Sequence, residues 1–122
     1  MKRHTVFEVE RQRDTLVVIP QSDSLKFQET ELTRGIDKLH ELMDQPQYVN
    51  LVFDLGSAPY FGSMMISAFL ALGVKVRDSG GRVAWCNASK SMRDVIRIMK
   101  LDIVMPYFPS RKSALDSIDV GK

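Results

Sequence analysis

The amino-acid sequence predicts an α/β domain built on one mixed, mainly parallel β-sheet. Two observations carry that expectation. Short stretches rich in β-branched residues alternate along the chain with longer stretches whose apolar residues recur every three or four positions. The first two short stretches instead lie side by side with only a polar turn between them, which predicts a hairpin and makes the sheet mixed.

Residues 5–10 alternate, with Thr5, Phe7 and Val9 on one side and Val6, Glu8 and Glu10 on the other. That is the pattern of a strand with one partly solvated face. A polar turn at residues 11–14 leads to Leu16, Val17, Val18 and Ile19, closed by Pro20, which has no N–H for a ladder. From Glu29 the period changes: Leu32, Ile36, Leu39 and Met43 form one helical stripe, which tolerates Gly35 and ends before Pro46. Residues 49–53 are apolar except for Asn50 and read as a buried central strand stopping at Asp54. Gly56, Pro59 and Gly62 punctuate the loop that follows. A long helix is expected from Ser63, with Ile66, Phe69, Leu70, Gly73 and Val74 on one face, running to the stop signal Asp78-Ser79-Gly80-Gly81.

Residues 82–86 read as the next strand. Ser89 or Ser91 caps a helix carrying Met92, Val95, Ile96 and Met99. A short strand is expected at residues 103–105, before Pro106, and a last helix at 110–118. The expected order is ββαβαβαβα, with the helices mainly on one face. The whole chain, 1–122, reads as a single domain with its core at about 5–118, and its length leaves no room for two independent cores.

Composition narrows the function classes. With 44% hydrophobic and 26% charged residues the chain falls among soluble globular domains. Lys and Arg total 17 against 15 acidic residues, interspersed along the chain, which argues against a dedicated nucleic-acid binder. No apolar run approaches the ~18 residues of a membrane span, and no secretory h-region follows the charged N-terminus, so direct membrane contact is not expected and the cytoplasm is the default. The single cysteine, Cys86, allows no intramolecular disulfide and reads as a small buried hydrophobe on a strand.

Enzyme chemistry finds little support. The two histidines, His4 and His40, have no partners close in sequence, and HExxH, CxxC, GxSxG and phosphate-cradling glycine motifs are all missing. Neither a cofactor nor a metal site is expected. The carboxylates best placed for chemistry are Asp54, at the carboxyl end of a buried strand, and Asp23, after the second strand. A turn or cap role is the commoner use of such an Asp. A small nucleotide-binding or hydrolytic domain using Asp23 and Asp54 is the alternative from another class. Met64 and Met65, at the start of the second helix, serve either as core filler or as an adaptable docking face.

Across residues 49–115 the chain resembles the STAS domains of bacterial anti-sigma factor antagonists. Val-Asn-Leu-Val-Phe-Asp-Leu at 49–55, followed by a loop, a Ser and an apolar helix, is similar to the family's signature region. Gly80-Gly81-Arg82-Val83 and Asn87-Ala88-Ser89 resemble its turn into the fourth strand and the polar segment after it. Leu101-Asp102, Tyr107-Phe108-Pro109-Ser110 and Ala114-Leu115 match its C-terminal portion. The resemblance implies a non-enzymatic regulatory module that binds a serine-kinase-like anti-sigma factor, with Asp23 near the phosphorylation site; a weak homodimer is a further possible partner. Where that family has an Asp-Ser-Ser/Thr-Gly type motif, this chain reads Gly62-Ser63-Met64-Met65. Ser63 keeps the phosphoacceptor position, while the Asp, the second hydroxyl and the Gly are replaced. On the residues alone Ser63 is expected to act as a helix N-cap. The candidate partner-binding residues are Asp23, Asp54, Gly62, Met64 and Met65, and Ser63 is the candidate phosphorylation site. The second reading within the family is a STAS subunit of a transporter or sensory assembly, with Ser63 purely structural.

Overall fold

A computed structural model describes residues 6–21, 28–58 and 62–120. The chain runs β1 (Phe7–Gln12), β2 (Thr15–Pro20), α1 (Glu29–Met43), β3 (Asn50–Asp54), α2 (Ser63–Asp78), β4 (Val83–Cys86), α3 (Lys90–Ile98), α4 (Leu101–Val104), β5 (Tyr107–Phe108) and α5 (Arg111–Val120). The five strands lie in the order β1-β2-β3-β4-β5. β1 and β2 form an antiparallel hairpin, and every later pair is parallel.

This strand order explains where the helices sit. Each crossover from β2 to β5 moves one strand further in the same direction. Right-handed crossovers must then place all their helices on one face. α5 follows the last strand, belongs to no crossover, and covers the other face. The strands divide their side chains accordingly. Leu16, Val18, Leu51, Phe53, Val83 and Trp85 join the large core with Leu39 of α1, Phe69 of α2, Met92 of α3 and Leu101 of α4. Val17, Ile19, Val52, Ala84 and Cys86 point the opposite way, onto Ala114 and Ile118 of α5. Val52 therefore does not meet α2 beside Phe53, as a continuous apolar run read without its pleat implies. The period of two sends neighbouring residues to opposite layers.

The hairpin turn is tighter than the four polar residues imply. Gln12 pairs with Thr15, leaving Arg13 and Asp14 as the turn, with Arg13 in the left-handed region at φ 57°. Val6, just before β1, is buried, whereas Val9 is exposed, because α1 covers only the start of that strand. Gly35 allows this close approach: a Cβ there would meet the Phe7 ring at 2.9 Å. Asn50 interrupts the apolar run of β3 for a reason. Its Nδ2 donates to Asp14 Oδ1 at 3.3 Å and its Oδ1 accepts from Arg82 N at 3.0 Å, tying the hairpin turn to the start of β4.

α2 buries Met65, Ile66, Phe69, Leu72, Gly73 and Val76, while Val74 is 42% exposed. The core stripe is thus rotated from the expected one, toward residues 65, 72 and 76. The segment at 103–105 is not a strand. Lys100 turns left-handed at φ 58° and ends α3, and α4 then buries Leu101 and Met105, four residues apart, with Asp102 and Ile103 exposed. That is a helical spacing, not an alternating one. The strand begins only after Pro106, whose carbonyl accepts from Trp85 N at 3.0 Å. Met99, expected on the inner stripe of α3, caps that helix and is 58% exposed.

Candidate functional site

Ligand sites in open parallel sheets gather at the carboxyl ends of the strands, where the βα loops emerge. Here that end carries Asp54, the loop 55–58, Gly62 and Ser63 at the head of α2, and Asn87 to Ser89 before α3. The loop after β3 is pinned from below: Leu55 N donates to Cys86 O at 2.9 Å, and the side chains of Leu55 and Ala58 are buried.

Asp54 is 5% exposed and fully engaged. Its Oδ1 accepts from Gly56 N at 3.0 Å and from Asn87 Nδ2 at 3.1 Å, and its Oδ2 accepts from Arg111 Nε at 2.7 Å. Arg111 in turn donates through Nη1 to Glu10 Oε1 at 2.9 Å. Burial alone would raise the Asp54 carboxyl. The bonds from Arg111, Gly56 and Asn87, with the Arg111 charge, outweigh it and hold the group below its ordinary value. A carboxylate so occupied is neither an available acid or base nor an exposed contact, which corrects its place among the docking candidates. Asp54 is a latch joining β3, the loop behind it, α5 and, through Glu10, the hairpin.

Arg111, Asn87 and Glu10 escape a reading of the sequence. Arg111 lies 57 positions from Asp54 and Glu10 lies 101 from Arg111, and no local spacing rule connects such distances. One signal exists: Arg111 and Lys112 open α5, where the helix dipole disfavours cations, so some other partner has to hold Arg111 there. Asn87 adopts φ 60°, a conformation Asn tolerates better than most residues, and this aims its amide at Asp54. Cys86, beneath the latch, is buried as expected. Burial, with the nearby Asp54 charge, pushes its thiol up to about 12, so it stays protonated at neutral pH and is a poor nucleophile.

At the head of α2 the N-cap is Gly62, at φ −77° and ψ 171°, and it supplies no side-chain acceptor. Ser63 is therefore the first residue of the helix and not its cap. It is exposed, and its hydroxyl makes no hydrogen bond among the described residues. The first turn contains no acidic residue. Met64 is 38% exposed, but Met65 is 2% exposed and packs in the core. Met65 thus does not belong to the surface at the helix head, where the apolar character rests on Met64. Ser57 and Ser67 are both exposed as well, so exposure alone does not separate them from Ser63. Asp23 lies outside the described residues. Among those described, no group of three or more His, Cys, Asp and Glu side chains is placed to hold a metal ion. No helix among them is long and apolar enough to cross a membrane.

Comparison with known proteins agrees with this arrangement. The STAS domain family profile matches residues 7–114. An anti-sigma-factor antagonist (STAS) domain protein from Planctomyces limnophilus superposes with a TM-score of 0.76 at 23% identity, over 93% of this chain and 97% of that one. The unphosphorylated anti-sigma factor antagonist SpoIIAA gives 0.74 at 17% identity, over 93% and 96%. Its phosphorylated form, described as a Bacillus cell fate determinant, gives 0.70 at 18% identity, over 92% and 98%. No curated protein sequence matches the chain. With a profile match running from the first strand into the last helix, and an overall fold that superposes on these structures, the chain belongs to the STAS domain family.

Proposed function

We propose that the protein is a non-enzymatic, cytoplasmic regulatory module that binds a serine-kinase-like anti-sigma factor through the end of the sheet carrying Ser63, and that phosphorylation of Ser63 releases the partner. The observation that supports this reading most is the setting of Ser63: exposed, first in its helix, its hydroxyl unengaged among the described residues, and preceded by a glycine. A phosphoryl group there would face free backbone N–H groups and the positive end of the α2 dipole, with no carboxylate in the first turn to repel it. Ser57 lies in the preceding loop and Ser67 one turn further on, where neither has that compensation. The structural relatives that are anti-sigma factor antagonists, one of them in a phosphorylated form, point to the same class of partner. The latch at Asp54 supports the non-enzymatic part, because it consumes the one buried carboxylate at this end among the described residues.

Phosphorylation adds about −1.5 to −2 charges at pH 7. Beside Met64 that charge must be desolvated on docking, so it opposes binding. Calorimetry against a purified anti-sigma factor kinase, with wild type, Ser63→Asp and Ser63→Ala, tests the proposal. Ser63→Asp should weaken binding while Ser63→Ala leaves it nearly unchanged. Equal affinity for all three would reduce Ser63 to an ordinary surface residue.

A further inference from the structure

Ile98, Met99 and Ile103 are 73%, 58% and 74% exposed, the highest values among the large apolar side chains described. They fall within six residues of one another, on the corner that Lys100 makes between α3 and α4. Isolated exposed aliphatics need no explanation, but a cluster of them does. Packing supplies none: α3 and α4 anchor themselves through Met92, Ile96 and Leu101, all buried, and the three outer side chains add little to that core.

The corner's place in the fold separates it from Ser63. α3 starts beyond the carboxyl end of β4 and runs back along the sheet, so its last residues arrive at the opposite end. The same holds for α2, which begins at Ser63 and ends at Asp78; Arg77, in its last turn, donates through Nη1 to the carbonyl of Val104 at 2.9 Å. An open groove of about 490 Å³ runs along α3 to the corner, lined by Arg93, Asp94, Arg97, Asp102 and Tyr107, with Lys90 at its far end. Along the groove and the corner the charge is predominantly positive, with Lys90, Arg93, Arg97 and Lys100 against Asp94 and Asp102. Asp94 is already paired, at 3.3 Å to both Lys90 and Arg97, whereas Arg93 and Lys100 have no ion pair among the described residues.

We propose that the α3–α4 corner is a second protein-docking surface, fitted to a partner segment that presents aliphatic or aromatic side chains among carboxylates. The apolar trio supplies the area removed from water, and the unpaired cations select and orient an acidic partner. A second copy of this chain fits less well, because its matching face would carry the same excess of positive charge. An anionic lipid surface fits less well than a protein segment, because a segment can place carboxylates at Arg93 and Lys100 and uncharged residues at Asp94 and Asp102, whereas headgroups of one sign meet all four. The surface is independent of Ser63, so two partners can be held at once, one at each end of the sheet.

The probe is a randomised peptide display library selected against the full chain, followed by synthesis of the enriched peptides. Enriched sequences should combine apolar residues with Asp or Glu, and their binding should weaken as salt rises. Ile98→Ser with Ile103→Ser, and separately Lys100→Glu with Arg93→Glu, should each reduce affinity by about tenfold or more. Ser63→Asp should leave it unchanged, which separates this surface from the one proposed above. An unaltered denaturation midpoint for the serine pair excludes misfolding as the cause. Failure to enrich such peptides, or equal binding by wild type and both pairs, overturns the proposal. So does a dimer in sedimentation that the serine pair abolishes, which assigns the corner to a second copy. Flotation with vesicles of phosphatidylcholine and about 30% phosphatidylglycerol, lost in the serine pair, assigns it to lipid and likewise overturns it.

Discussion

Asp54 receives its bonds from three separate parts of the chain, and each partner answers a different need. Gly56 N closes the turn after β3, Asn87 joins that turn to the end of β4, and Arg111 neutralises the buried charge. Removing only the cation leaves the carboxylate desolvated. Arg111→Met should therefore cost about 2–3 kcal/mol, below the cost of breaking a fully buried pair because Arg111 itself reaches solvent. Adding Asp54→Asn to Arg111→Met should recover part of that loss in chemical denaturation; a double variant no better than the single one would show that the pair is not coupled. The same latch sets an acid dependence. A carboxyl held below its ordinary value stabilises the fold fully at pH above the usual carboxylate range, and this contribution fades as the pH falls through the depressed value. Wild type should lose stability in acid more steeply than Asp54→Asn. Parallel pH profiles would contradict the assignment. At this scale the sequence shows that an Asp ends a buried strand, but not that an Arg on the last helix will reach it.

Among the elements, α2 does most to join fold and function. Phe69 sits at its centre, with its ring centroid 4.4 Å from Phe53 and 6.3 Å from Trp85. Phe69→Ala should cost about 3–5 kcal/mol, and a loss below ~1 kcal/mol would mean the aromatic cluster collapses to fill the space. The head of the helix offers the opposite experiment. Gly62 has an ordinary φ of −77°, and nothing among the described residues lies within 4 Å of where a Cβ would be. Gly62→Asp should fit there, cap the free N–H groups and meet the helix dipole, raising stability by a few tenths to ~1 kcal/mol. Destabilisation by this change would contradict the open geometry. It also restores an acidic residue where the resemblance to antagonists expects one, so its effect on the proposed phosphorylation of Ser63 can be read in the same variant. The existence of α2 is legible in its length and period. Its precise rotation is not, because Leu70 and Val74 are as apolar as Leu72 and Val76, and only the position of β3 and β4 decides which stripe is covered.

At the scale of the whole molecule, both layers share the same sheet, with Phe53 and Val52 of one strand serving opposite cores. Neither layer can be lost without exposing strands that the other needs, so unfolding should be a single cooperative transition. Trp85, 1% exposed and packed against Phe53 and Phe69, reports on the larger layer through its fluorescence. Far-ultraviolet circular dichroism reports on all the helices, α5 included. The two curves should coincide in denaturant. Separate midpoints would mean that α5 and its latch detach before the rest of the domain melts.

The order of strands and helices, the hairpin at the start, the parallel character of the sheet and the buried state of Cys86 follow from local pattern, because each depends on residues a few positions apart. Even the placement of the crossover helices on one face follows, since handedness leaves no other choice once the strand order is known. The short helix α4 did not follow: five residues between Lys100 and Pro106 are too few to distinguish a spacing of four from an alternation of two. Tertiary structure alone decided that Val52 turns to α5, that Met65 is core while Met64 is surface, and that Asp54 is bound by Arg111 instead of standing free. Each of these is settled by contacts between residues tens of positions apart, whose geometry is set when the sheet is assembled and not by any neighbour in sequence.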